Sequence, residues 1–136
     1  MSGDWHLDGI TGFMGFRHEA PGRIRLTVRP ELMNRGGMLS GAVAFTMIDY
    51  AMGSALWTQI TEEEAIATLN IAINYVQTAT EGDVVCTTEL HRRNRTSAVM
   101  SSEVRHEDGR LLATAIGSYT IFKRRNRGGV RIPAAE

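Results

Sequence analysis

Residues 30–56 read PELMNRGGMLSGAVAFTMIDYAMGSAL. A glycine-rich turn, Asn34 to Gly37, leads into a long apolar segment that holds a single carboxylate, Asp49. The segment predicts a helix from about Ser40 to Thr58, with Ser40 as a favoured N-cap residue. Advanced by about 100° per residue, Asp49 shares its side with Ala42, Phe45, Met52, Gly53 and Leu56. Val43, Met47, Ile48, Ala51 and Ala55 cover the rest. A helix apolar all round is normally buried, so the stretch predicts a central helix wrapped by other elements. An ionised carboxylate in that setting must find hydrogen bonds or a counter-charge, and such groups are enriched at functional sites. Two readings stay open at this point: Asp49 belongs to an active site, or it caps a neighbouring element or faces a water-filled crevice.

Upstream, Arg23 to Arg29 alternates, with Ile24, Leu26 and Val28 on one side, and predicts a half-buried strand that Pro30 ends. Residues 4–15 suggest a short amphipathic helix presenting Trp5, Leu7, Ile10, Phe13 and Met14. Downstream of an acidic loop at Thr61 to Glu64, the chain reads as a meander. Thr68 to Gln77 sets Leu69, Ile71, Ile73 and Tyr75 against Thr68, Asn70, Ala72 and Asn74, the pattern of a two-faced strand. Glu81-Gly82-Asp83 turns into Val84 to Arg92, Asn94-Arg95 into Ser97 to His106, and Asp108-Gly109 into Leu111 to Phe122. One helix followed by four antiparallel strands, with the earlier strand at an edge, is an α+β pattern in which the sheet wraps the helix. Residues 1–123 form a single domain in this reading, and 124–136 a basic, solvated tail.

The chain has 136 residues, enough to bury a core without disulfides or metal. Its 15 basic and 15 acidic residues cancel, so no global field favours nucleic acid or an anionic membrane. No segment reaches the roughly 18 apolar residues of a membrane span, and the N-terminus lacks a secretory pattern. These features suggest a cytoplasmic protein. Cys86 is the only cysteine, which excludes an internal disulfide and every CxxC motif, and its strand-like setting reads as a small buried hydrophobe. The four histidines show no metal-ligand spacing, so neither metal nor cofactor is expected.

Taken together, the strand, the glycine-rich turn, the apolar helix with one carboxylate and the four following strands resemble the hotdog fold. The turn is similar to the signature of phenylacetate-pathway-type thioesterases, Asn-x-x-Gly-x-x-His-Gly-Gly, here Asn34, Gly37, Ser40-Gly41-Ala42, followed by Asp49 and Ala51-Met52-Gly53. The later turns, Gly82-Asp83-Val84, Arg95-Thr96-Ser97 and Asp108-Gly109-Arg110, extend the likeness from about Arg23 to Lys123.

The resemblance implies an acyl-CoA thioesterase acting on a medium-chain or aromatic acyl group. Asp49 would be general base or nucleophile, and the Gly41 N–H, at the positive end of the helix, would polarise the thioester carbonyl. Asn34 would orient Asp49, the water or the acyl group, and Thr68 would hold the attacking water. Ser40, Ala42 and Phe45 would line the acyl site. The resemblance also implies a homo-oligomer, dimer or tetramer, with each site built across a subunit interface and the sheets paired edge to edge. Arg92, Arg93 and Arg95 are candidates for the nucleotide end of coenzyme A, because planar guanidinium groups suit phosphate; a solvated arginine turn explains them equally well.

Two positions depart from the signature. The histidine is Ser40 here and the second glycine is Ala42. Ser40 is read as a helix cap; as a nucleophile it lacks the Gly-x-Ser-x-Gly elbow and a histidine placed beside it. Ala42 adds one methyl group near the acyl tunnel. A non-catalytic acyl-CoA-binding protein is the competing reading. Nucleic-acid binding through Lys123 to Arg131 has too few basic residues and no interleaved aromatics. A hydratase would need an Asp and His pair that this helix lacks.

Overall fold

A computed structural model describes residues 9–124. The predicted central helix is α2, Gly41–Trp57, capped at Ser40, whose Oγ accepts from the Ala42 N–H at 3.2 Å. A short helix α1, Gly9–Met14, precedes it in the chain. Ile10, Phe13 and Met14 belong to that element, whereas Trp5 and Leu7 lie outside the described residues, as does the tail beyond Arg124.

Six antiparallel strands form one sheet: β1 (Arg17–Ala20), β2 (Arg23–Thr27), β3 (Glu64–Tyr75), β4 (Asp83–Arg93), β5 (Ser97–His106) and β6 (Leu111–Lys123). Their spatial order is β1-β2-β4-β5-β6-β3. This is the hotdog arrangement, with the sheet curled around α2. Inward positions of β2, β4, β5 and β6, among them Ile24, Leu26, Val84, Cys86, Met100 and Val104, pack with Met47, Ile48, Met52 and Leu56 of α2, all fully buried. Each such side chain contributes about 1.5–3 kcal/mol by leaving water. Alternation along the strands puts the arginines of β1 and β2 on the opposite, solvent side. There Arg17, Arg25 and Thr27 converge on Asp83, and Arg23 and Arg25 on Glu19.

The strand pairing corrects the sequence reading in three places. Only β4, β5 and β6 form a meander; β3 crosses to the far side and pairs with β6 along its length. Residues 76–82, which link β3 to β4, are too many for a tight hairpin and carry the chain across. The Arg23 strand is not an edge, because the additional strand Arg17–Ala20 pairs with it through the Pro21-Gly22 turn. Gly22 has φ +76°, and a Cβ there would lie 3.1 Å from the Thr88 carbonyl oxygen, so the turn calls for glycine. Finally, β3 starts at Glu64, and a register shift between Thr68 and Asn70 removes Leu69 from the predicted alternation, leaving it 62% exposed.

Helix α2 is also not buried all round. Ala42 and Phe45 are exposed and Asp49, Tyr50 and Gly53 half-buried, so one stripe beside the free edge of β3 is left uncovered. Among the described residues, no helix is long and apolar enough to cross a membrane.

Candidate active site

Asp49 sits in the middle of α2, on that open stripe. Two hydroxyls from adjacent strands meet its carboxylate. Thr68 Oγ1 of β3 donates to Oδ1 at 2.6 Å, and the Tyr119 hydroxyl of β6 lies 2.5 Å from the same oxygen. Thr68 and Tyr119 are cross-strand partners, which is why they reach one atom together. Tyr119 is nearly fully buried, and its hydroxyl is also 2.7 Å from the main-chain oxygen of Asp49. Burial first, then the charge of Asp49 and the hydrogen bond to it, push the Tyr119 phenol up, so it remains a protonated donor. No ion pair among the described residues includes Asp49.

Gly41, at the N-terminus of the same helix, forms a second cluster. Its N–H has no acceptor among the described residues, as expected for an orphan donor of a first helical turn. Its carbonyl accepts from the Tyr75 hydroxyl at 2.7 Å, and a Cβ at this position would stand 3.1 Å from the Tyr75 ring. Gly41, Asn34, Met38, Ala44, Tyr75 and Leu112 help line an open cavity of about 380 Å³. Asn34 uses its Oδ1 to accept from the Gly36 and Met38 N–H groups, which fixes the turn, and leaves its Nδ2 without an acceptor among the described residues. Ser40 and Ala42 flank Gly41, and Phe45 lies one turn before Asp49 on the open stripe.

The predicted residues therefore gather in two places rather than one. Eight residues of helix separate Gly41 from Asp49, about 12 Å at 1.5 Å per residue. One carbonyl group cannot touch both within a single chain.

The arginine turn divides as well. Arg93 points to the inner side and pairs with Glu64 at 2.6 Å, Arg92 bonds Asn94, and Arg95 has no partner among the described residues. Cross-strand register runs Thr68, Tyr119, Ala98, Arg93, so the turn ends the row that starts at the Asp49 cluster, three inter-strand steps or roughly 14 Å away.

Sequence reasoning missed Tyr119 and Tyr75. The inward phase of β6 places Tyr119 on the helix side, and a buried phenol needs an acceptor, so it had a legible signal. Cys86 is buried, and desolvation raises its thiol to about 12, which makes it inert as a nucleophile. A Ser101, His91 and Glu89 chain, with contacts of 2.6 and 3.4 Å, lies on the outer sheet face; Glu89 is 75% exposed and none of the three lines the cavity at Gly41. Among the described residues no group of three or more His, Cys, Asp or Glu could hold a metal ion.

Residues 36–113, more than half of the chain, match the profile of the Thioesterase superfamily, from the end of the glycine-rich turn through α2, β3, β4 and β5 to the start of β6. The chain belongs to the thioesterase superfamily. A protein of Saccharolobus solfataricus provisionally named an esterase is 28% identical over 100 residues, 74% of this chain and 71% of the relative. Among solved structures, a thioesterase from Haemophilus influenzae superposes with TM-score 0.85 at 16% identity, covering 92% of each chain. A Bacillus halodurans protein crystallised with CoA gives TM-score 0.79 at 19% identity, covering 83% of this chain and 75% of that one. At these identities the two structures establish the shared fold.

Proposed function

We propose that the protein is an acyl-CoA thioesterase that hydrolyses a medium-chain or aromatic acyl-CoA to the free acid and CoA. The observation that carries this reading is the carboxylate of Asp49, fixed by two hydroxyls on the open stripe of a helix whose first N–H, at Gly41, is unoccupied. Asp49 acts as general base. It takes a proton from a water that Thr68 helps hold, and the water oxygen bonds to the thioester carbonyl carbon. The carbonyl oxygen becomes an oxyanion that accepts the Gly41 N–H, at the positive end of the helix dipole; a donor of this kind is typically worth a hundredfold or more in rate. Collapse breaks the C–S bond, and the departing thiolate recovers the proton from Asp49.

The 12 Å gap along α2 supports a two-chain site in which Asp49 of one subunit works with Gly41 of its partner. The partner is a second copy of the chain, docked along β3. Among the described residues that edge is an unpaired 12-residue strand with Leu69, Tyr75 and nearby Val76 more than half exposed, a surface that natural edges avoid unless it is paired. Such dimers can associate into tetramers, and the reaction belongs in the cytoplasm. CoA bound to the Bacillus halodurans protein of the same fold supports the ligand class. Arg95, without a partner among the described residues, and Arg92, whose Nε alone is taken by the neutral Asn94, can meet its phosphates, whereas Arg93 is engaged by Glu64.

Release of free CoA thiol from short, medium, long and aromatic acyl-CoAs tests the reading. Turnover in the wild type that is lost in Asp49→Ala is the expected result. Saturable binding without turnover on any member would replace the enzyme with an acyl-CoA-binding protein.

A further inference from the structure

The two oxygens of Asp49 are not equivalent. Both hydroxyl donors, Thr68 Oγ1 and Tyr119 Oη, converge on Oδ1, and among the described residues no donor reaches Oδ2. We propose that Tyr119 is the positioning residue of the general base: with Thr68 it occupies Oδ1, fixes the plane of the carboxylate, and reserves Oδ2 as the atom that takes the proton from water. This assignment rests on the thioesterase reading for its consequence in rate, but not for its geometry.

Three observations single out Tyr119 from an ordinary core aromatic. Its hydroxyl has two acceptors within reach, the main-chain and the carboxylate oxygens of one residue, and its place between them fixes the direction from which a donor meets Oδ1. A phenol has one proton, and the charged acceptor holds it more strongly than a peptide carbonyl. The ring is rigid, because it is 3% exposed and lies between the inward faces of β3 and β5 through its partners Thr68 and Ala98. Thr68, by contrast, is exposed, and its hydroxyl can turn toward solvent. Of the two donors, the buried one therefore sets the geometry. Among the described residues the side chains that meet the carboxylate are Thr68 from β3 and Tyr119 from β6, a hydroxyl and a protonated phenol without charge.

Tyr119→Phe keeps the buried ring and removes only the hydroxyl. In steady-state kinetics of the full-length protein, kcat falls about tenfold, the scale of a hydrogen bond to a charged group, while KM stays within about twofold. A second readout needs no turnover. In protein labelled with 13C at the aspartate carboxyls, the Asp49 signal, assigned with Asp49→Asn, moves at neutral pH in Tyr119→Phe, because the carboxylate loses a donor. A third needs no change at Tyr119: its hydroxyl proton resonates downfield in the wild type and moves upfield in Asp49→Asn. Unchanged kcat together with an unmoved Asp49 signal would reduce Tyr119 to a packing residue and overturn the proposal. If no acyl-CoA is turned over, a moved Asp49 signal in Tyr119→Phe and a moved Tyr119 hydroxyl proton in Asp49→Asn still uphold the positioning role while the thioesterase reading fails, so the two can fail separately.

Discussion

Asp49→Ala removes the carboxylate and, with it, the acceptor of two hydroxyls, yet the structure predicts that the fold will hardly notice. Each bond to an ionised acceptor contributes about 1.5–3 kcal/mol, so deleting both could cost several kcal/mol if the donors were stranded. They are not. The Tyr119 hydroxyl already lies 2.7 Å from the main-chain oxygen of residue 49, which the substitution leaves in place, and Thr68 is exposed and can bond to water. The variant also sheds a half-buried charge and puts the best helix former into the middle of α2. The net change is about 1 kcal/mol in either direction, equivalent to a shift in melting temperature of roughly 2–5 °C for a domain of this size. Activity behaves differently, because loss of a general base costs about 10²–10⁴-fold in kcat. Thermal denaturation followed by circular dichroism, set beside CoA-thiol release, reads both quantities on one sample. A fall in melting temperature beyond about 10 °C would mean that the carboxylate is a structural keystone, and retained turnover would mean that the base lies elsewhere.

Two further outcomes follow from packing and charge. Gly117→Ala would place a Cβ 2.5 Å from Met52 Sδ and 3.3 Å from the Asn70 carbonyl oxygen, inside the contact between α2 and β6; Met52 is fully buried, so the variant loses about 1–3 kcal/mol in chemical denaturation, and a melt equal to wild type would show that the helix rides higher on the sheet than described. Asp83 has its carboxyl held below the usual range by the Thr27 hydroxyl first and by Arg25 and Arg17 next. A depressed folded-state pKa gives stability that is present above the unfolded-state value and is lost as pH falls through the folded one, below the usual carboxylate range. Asp83→Asn should therefore be less stable than wild type at neutral pH and lose less on acidification, as read by denaturant midpoints across that window; parallel curves would remove Asp83 from the account.

Much of the fold was legible because it follows from periodicity. The apolar run after Ser40 gave α2 nearly to its ends, and the alternation in residues 84–122 gave β4, β5 and β6 within a residue or so. The β1 strand was hidden because Arg17–Ala20 has no buried side chain to mark it, only solvent-side ion pairs. The place of β3 beside β6 was hidden because alternation records which face a residue takes, not which neighbour its strand selects. At the candidate site, Asp49 stood out as a lone charge and Thr68 came through the family resemblance. Tyr119 lies 70 residues from Asp49 in sequence and joins it only through strand register, which no local pattern encodes. The open stripe on α2 escaped the helical wheel for a related reason: Ala42, Phe45 and Gly53 read as core residues, but the described residues of one chain leave them partly or fully exposed.

The central claim is that one thioesterase site joins Asp49 of one subunit to Gly41 of another. Two variants test it most directly, Asp49→Asn, which lacks the base, and Gly41→Val, whose side chain would collide with the Tyr75 ring and displace the N–H donor. Each alone should be inactive in CoA-thiol release. Denatured together in equal amounts and refolded, half of the dimers are mixed, and each mixed dimer holds one intact and one doubly defective site, so activity should return to about a quarter of wild type. A mixture as inactive as its components, with mixed dimers shown to be present, would contradict the shared site and with it the account given for Asp49 and Gly41.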